Sequence, residues 1–84
     1  MYQLEVSQTA HRQISKLPEQ TRDRVNRAIA HLAENPRPPG VKKLTAVGGY
    51  RIRIGNYRIL YQIDDEARTV VVYRVKPREN VYRF

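Results

Sequence analysis

The chain begins with a short run in which apolar and polar residues alternate. Tyr2, Leu4 and Val6 are separated by Gln3 and Glu5. A period of two is typical of a β-strand that has one buried face. The opening segment is therefore predicted to be a strand.

Two segments then repeat apolar residues with the spacing of a helix. Ser7 is a suitable N-cap for a first helix over residues 8–17, and Pro18 suits the first turn of a second helix over residues 19–34. Each helix is predicted to bury one stripe, and Asn35-Pro36 is predicted to end the second. The stripe residues are Ala10, Ile14 and Leu17 in the first helix, and Val25, Ala28, Ile29, Leu32 and Ala33 in the second.

Residues 35–49 have no clear period and contain three prolines and three glycines. This composition predicts a loop. Loops of this length are uncommon in small domains and are often functional. Lys42 and Lys43 lie within it.

The remaining chain predicts three strands, over residues 50–54, 57–63 and about 69–76. Gly55-Asn56 is a two-residue connection of the kind found in tight hairpins, and it places Arg53 opposite Arg58. Arg51, Arg53 and Arg58 then share the face away from the helices. The other face is formed by Tyr50, Ile52, Ile54, Tyr57, Ile59 and Tyr61.

The order of these elements predicts the fold class. We expect one α+β domain over residues 1–84, of order β-α-α-β-β-β, with both helices on one face of a four-stranded, mainly antiparallel sheet. Val70, Val71 and Val72 put apolar side chains on both faces of the last strand. That strand is therefore predicted to be central, and the sheet face away from the helices is predicted to be open.

The net charge of +8 is concentrated in the second part of the chain. Residues 1–35 carry +1, whereas residues 36–84 contain eleven basic and four acidic side chains. Such a field attracts polyanions such as RNA and DNA. Directly opposed arginines destabilise a sheet by some tenths of a kcal/mol, so the pair Arg53 and Arg58 favours an anion between them. The alternative is a solvated strand face with its side chains splayed apart.

The composition gives little support for a secreted protein, a membrane protein or a metal site. There is no cysteine, no apolar run of the length of a membrane span and no secretion signal, which together favour the cytoplasm. His11 and His31 have no carboxylate set at helical spacing, and residues 64–66 resemble solvated charges in a turn rather than a magnesium site. No metal, cofactor or membrane partner is predicted.

The second part of the chain resembles a known family. The residues that carry the resemblance are the "KKL" motif, the "YRIRIGNYRILY" hairpin and the ending "VKPRENVY". In this order and spacing, after one strand and two helices, they resemble the RelE family within the RelE/ParE superfamily of toxin–antitoxin systems. The likeness extends over essentially the whole chain.

The resemblance implies a metal-independent endoribonuclease that enters the ribosomal A site and cuts mRNA there by attack of the 2′-hydroxyl on the adjacent phosphate. The positions that match the family's catalytic residues are Arg51, Arg53, Arg58, Arg78 and Tyr82. Further cations are predicted to bind RNA, namely Lys42, Lys43, Arg74, Lys76 and Arg83. The implied partners are a cognate antitoxin, 16S rRNA and mRNA, with operator DNA bound only through the antitoxin complex.

Two departures from the family pattern bear on the mechanism. Arg51 and Arg53 stand where well-known members have lysine, and an arginine does not surrender its proton as a general base. The chain also ends two residues after Tyr82, where some relatives continue into a helix. Two alternatives are a ParE-like inhibitor of DNA gyrase with the same fold and a nucleic-acid-binding module without catalysis.

Overall fold

The computed structural model describes residues 1–45 and 48–77, and within them the predicted order of elements is confirmed. One short strand was not predicted. The elements are β1 (Gln3–Val6), α1 (Gln8–Ser15), α2 (Glu19–Leu32), β2 (Lys42–Lys43), β3 (Tyr50–Ile54), β4 (Tyr57–Asp64) and β5 (Thr69–Pro77).

The strands form one mixed sheet of order β1-β5-β4-β3-β2. β1 pairs with β5 in parallel, and the other three pairings are antiparallel. β5 lies between β1 and β4, as its apolar residues predict. The α+β class and the packing of both helices on one face are likewise confirmed.

The sheet has five strands where the sequence predicts four. The additional strand is β2, in which Lys42 pairs with Arg51 and Lys43 pairs with Tyr50. Two lysines carry no period-2 pattern, so the pairing depends on the position of the chain beside β3. The Leu44 amide donates to the Gly49 carbonyl at 2.9 Å and extends this edge pairing.

A single apolar core fills the space between the helices and one face of the sheet. The predicted helix stripes and the predicted inner face of the hairpin meet there. The core consists of Ala10, Ile14, Leu17, Val25, Ile29, Leu32, Ile52, Ile59, Tyr61, Val70, Val72 and Val75. Tyr61 is fully buried, and its hydroxyl donates to the Pro36 carbonyl at 2.7 Å. This bond ties the segment after α2 to the centre of the sheet.

A β-bulge changes which residues of β5 face the core. Leu60 pairs with Arg74, but Tyr61 pairs with Val72, so β5 contains one extra residue at this point. The buried residues of β5 are accordingly Val70, Val72 and Val75, not every second residue. The bulge therefore places Arg74 on the sheet face away from the helices, whereas strict alternation would place it with Val70 and Val72.

Side chains near α1 satisfy the backbone of β5 where β1 no longer pairs with it. The Ser7 hydroxyl accepts from the Ala10 amide at 3.1 Å as the N-cap of α1, and it donates to the Tyr73 carbonyl at 3.1 Å. The Val75 amide donates to the Gln13 side-chain oxygen at 2.7 Å. These bonds hold the second half of β5 in place beyond the end of its pairing with β1.

Candidate nucleic-acid interface

The β3–β4 hairpin has the predicted register. Ile54 pairs with Tyr57, Arg53 with Arg58, Ile52 with Ile59, and Arg51 with Leu60. Because Ile54 and Tyr57 flank a two-residue turn, they form a hydrogen-bonded pair, and Arg53 and Arg58 form the next, non-hydrogen-bonded pair. Facing side chains approach most closely in pairs of this second kind. The two arginines are therefore neighbours on the face away from the helices.

β5 extends this arrangement across a third strand. Arg58 pairs with Lys76, so Arg53, Arg58 and Lys76 form one row of cations across three strands. A second row runs two residues away along the strands. It consists of Lys42, Arg51, Leu60 and Arg74. We call the six cations of these two rows the cationic face.

The side chains of the cationic face differ in their exposure. Arg53, Arg74 and Lys42 are exposed, whereas Arg51, Arg58 and Lys76 are half-buried. Burial lowers the pKa of the Arg51 guanidinium, and the charges of Arg53 and Arg58 lower it further. The three arginines of the hairpin therefore interact electrostatically. A bound anion would relieve this repulsion.

The chemistry of the cationic face suits a phosphodiester. Guanidinium groups bind two phosphate oxygens at once, and they stay charged at every pH in which the protein is folded. Fixed cations also stabilise charge that develops during a reaction. Leu60 lies between Arg51 and Arg74 and gives the second row an apolar, half-buried centre.

The structure brings six of the ten predicted site residues together on the cationic face. Lys43 is exposed but pairs with Tyr50, whose ring packs against the core, so Lys43 belongs to the opposite face. Arg78, Tyr82 and Arg83 lie outside the described residues.

One polar cluster was not anticipated from the sequence. Arg37 donates to both carboxylate oxygens of Asp65, at 3.3 and 2.9 Å, and the Tyr2 hydroxyl donates to Asp65 Oδ1 at 2.6 Å. Arg37 and then Tyr2 lower the pKa of the Asp65 carboxyl. Arg37 also contacts the Tyr50 ring, 5.3 Å from its centroid. Asp65 is exposed, as predicted, and its contact with Arg37 joins the segment after α2 to the β4–β5 turn. No local pattern around Arg37 indicates this contact.

A groove of about 520 Å³ runs along the outer edge of β3. Its walls include Ala28 and His31 of α2, Pro38, and the β3 residues Ile52 and Ile54. β2 pairs only with Tyr50 and Arg51, so none of the described strands lies beside the second half of β3 at this edge. The lining also includes Lys42, Arg51 and Arg53, so the groove combines apolar residues with three cations of the cationic face.

The described residues offer little to hold a metal ion. Nowhere in residues 1–45 and 48–77 do three histidine or carboxylate side chains gather in a group that could bind one. His11 and His31 are exposed. None of the helices described is long and apolar enough to cross a membrane.

Comparison with known proteins agrees with the resemblance seen in the sequence. Residues 4–82 match the family model described as "ParE toxin of type II toxin-antitoxin system, parDE". Toxin RelG of Mycobacterium tuberculosis is 37% identical over 84 residues, covering 98% of this chain and 97% of RelG.

Two solved structures of toxin–antitoxin complexes show similar chains. The RelBE2 complex of Mycobacterium tuberculosis matches with a TM-score of 0.80 and 36% identity, over 92% of this chain and 98% of that one. The RelE–RelB complex of Pyrococcus horikoshii matches with a TM-score of 0.86 and 23% identity, over 95% and 98%, and shows the shared fold. By its sequence and its fold, the chain belongs to the RelE/ParE family of type II toxin–antitoxin toxins.

Proposed function

We propose that this toxin is an endoribonuclease that cuts mRNA in the ribosomal A site. The observation that carries the proposal is the row Arg53, Arg58 and Lys76, which sets three cations across three strands on one face. Like charges directly opposite each other destabilise a sheet, and a bound anion would offset this cost. A phosphodiester that gains charge in its transition state fits this arrangement.

In the proposed reaction, the ribose 2′-hydroxyl attacks the adjacent phosphorus and the 5′-oxygen leaves. The products are a 2′,3′-cyclic phosphate and a 5′-hydroxyl. Arg53 and Arg58 hold the non-bridging oxygens, and Arg51 and Arg74 hold a neighbouring phosphate, with Lys42 at the edge. Guanidinium and ammonium groups supply the charge stabilisation, so the proposed reaction is metal-independent.

The family resemblance assigns further roles to residues outside the described part of the chain. Arg78 is proposed to contact the reacting phosphate, and Tyr82 to stack on a base or exchange a proton. Arg83 and Lys43 are proposed to bind RNA nearby. The whole chain, residues 1–84, acts in this proposal as one toxin domain in the cytoplasm, where its substrate, the translated message bound to 16S rRNA, is found.

A cognate antitoxin is the second proposed partner. Two of the similar structures are complexes of a toxin with its antitoxin. We propose that an antitoxin segment covers the cationic face and thereby blocks access of RNA, and that the two proteins together bind their operator DNA. The net charge of +8 favours an acidic segment for this purpose.

The test is cleavage of ribosome-bound mRNA by purified toxin, mapped by primer extension. Arg58→Ala should lower the rate by about 100-fold or more, since removing one preorganised donor from such a site typically costs this much. Arg12→Ala is the matched control, because it removes an exposed arginine from α1, on the helix side of the sheet. Unchanged cleavage by Arg58→Ala would contradict the role given to Arg58.

Inhibition of DNA gyrase is the second candidate, because the family model that matches is that of ParE toxins. Induction of the toxin in cells separates the two functions. An mRNA endonuclease stops protein synthesis while DNA supercoiling is maintained, whereas a gyrase inhibitor causes loss of supercoiling first. Cleavage of ribosome-bound message by purified protein also separates the proposed enzyme from a binding module.

A further inference from the structure

The proposed cleavage needs a proton at the leaving 5′-oxygen, and the arginines of the cationic face are poor sources of it. A guanidinium group remains protonated at any accessible pH, so it binds charge without transferring a proton. A lysine ammonium group is compact and readily exchanges protons. Among the described residues of the cationic face, only Lys42 and Lys76 are lysines.

The two lysines lie at different places. Lys76 pairs directly with Arg58, so its Cβ is about 5 Å from that of the arginine proposed to hold the reacting phosphate. Lys42 is in the other row, at the outer edge of the sheet, and is separated from Lys76 by two strands. Of these two lysines, Lys76 is therefore the one adjacent to the proposed position of the reacting phosphate.

The backbone next to Lys76 is held firmly. The preceding residue, Val75, is 3% exposed, and its amide donates to the side chain of Gln13 at 2.7 Å. Within residues 1–45 and 48–77, β1 pairs with β5 only as far as Val72, four residues before Lys76. The Lys76 side chain is half-buried, which restricts its motion, and its pairing with Arg58 places it on the cationic face.

We propose that Lys76 is the general acid of the cleavage reaction. This inference rests on the proposed function. The bond from the 2′-oxygen to phosphorus forms as the bond from phosphorus to the 5′-oxygen breaks. A proton passes from the Lys76 ammonium group to the 5′-oxygen and gives a 5′-hydroxyl and a neutral amine. The 2′-hydroxyl proton passes to water, and the amine later regains a proton from water.

The test compares two ribosome-bound messages that differ at one atom. One has the normal 5′-oxygen at the scissile bond, and the other has sulfur at that bridging position. A thiolate leaves without a proton, so loss of a general acid slows only the oxygen substrate. Lys76→Arg keeps the positive charge but removes the proton donor, so it should lower cleavage of the oxygen substrate by about 100-fold or more and leave cleavage of the sulfur substrate within about threefold of the unmodified toxin.

Lys42→Ala is the matched control, since it removes a lysine proposed only to bind RNA and should slow both substrates by the same factor. Lys76→Ala also removes the positive charge, so it should slow both substrates, but it should slow the oxygen substrate by a further factor of about 100 relative to the sulfur substrate. Equal loss on both substrates in the Lys76 variants would overturn the inference and leave Lys76 a phosphate contact. If the unmodified toxin cleaves neither message, the proposed function itself is wrong.

Discussion

The opposed arginines of the β3–β4 hairpin predict a variant that is more stable than the natural protein. Arg53 and Arg58 face each other in a non-hydrogen-bonded pair, and Arg53 is exposed. Arg53→Gln removes one charge and keeps a long polar side chain on the strand. We expect its free energy of unfolding to rise at low ionic strength.

The size of this effect follows from the separation of the charges. Guanidinium groups that splay to about 7 Å repel each other by about 0.6 kcal/mol in water. Directly opposed like charges in sheets cost a similar amount. For a domain of this size, about 0.5 kcal/mol corresponds to a rise of about 2–4 °C in Tm. Arg51 interacts with the same charges, which adds to the effect.

The assay is thermal and urea denaturation at two salt concentrations. At about 0.01 M salt the difference between Arg53→Gln and the natural protein should be fully present, and at about 1 M it should disappear, because the Debye length falls from about 30 Å to about 3 Å. Arg27→Gln is the matched control. It lowers the net charge equally, but Arg27 is exposed on α2 one turn from Asp23, so its loss should not stabilise the protein.

Three results would refute this reasoning. Arg53→Gln would be no more stable than the natural protein at low salt, or its gain would persist at about 1 M salt, or Arg27→Gln would show an equal gain. The last result would mean that net charge, and not the facing pair, limits stability. If the gain is seen, weaker RNA cleavage by the same variant would show that the cationic face is maintained at a cost in stability.

Two further predictions concern the core and the turn before β3. Burial raises the pKa of Tyr61 to about 12, so the folded protein favours the neutral phenol. The free energy of unfolding should therefore be fully present below about pH 10 and should fall by up to about 3 kcal/mol as the pH rises through 12. Tyr61→Phe leaves the Pro36 carbonyl without its donor, so the free energy of unfolding at about pH 8 should fall by about 1–2 kcal/mol. In urea denaturation, the difference between this variant and the natural protein should shrink as the pH rises above about 10. A difference that stays constant would contradict the raised pKa of Tyr61. Gly49→Ala should destabilise the fold by more than about 1 kcal/mol, because φ is +86° and the new Cβ would lie 2.8 Å from the Tyr61 carbonyl oxygen. Gly48→Ala, with φ at +75° and no atom within 4 Å of its Cβ, should cost less in the same denaturation, and equal losses would refute the steric argument.

Local patterns were sufficient for the hairpin and the helices. Gly55-Asn56 fixes the loop length, and loop length fixes which residues face each other, so the pairing of Arg53 with Arg58 follows from the order of residues alone. The helix stripes likewise depend only on a spacing of three or four residues. The predicted second helix was two residues too long, since α2 ends at Leu32 and not at residue 34.

The contacts of the segment after α2 could not be predicted in this way. Arg37 donates a hydrogen bond to Asp65, 28 residues further along the chain. Lys42 pairs with Arg51 on the other side of the turn before β3. The first contact joins segments that are distant in sequence, and the second begins in a segment without a periodic pattern. Periodicity therefore predicts neither contact. A long loop without a period was predicted, and the structure shows a short edge strand within it.

The sequence by itself determined the helices, the hairpin register and the excess of positive charge in residues 36–84. Only the tertiary structure decided which cations share a surface. The bulge opposite Leu60 and Tyr61 changes the phase of β5 and turns Arg74 and Lys76 towards Arg58. The physical reason is that Val75, and not Arg74, must fill the core at that level, and one extra residue in the strand satisfies the core while it completes the cationic face.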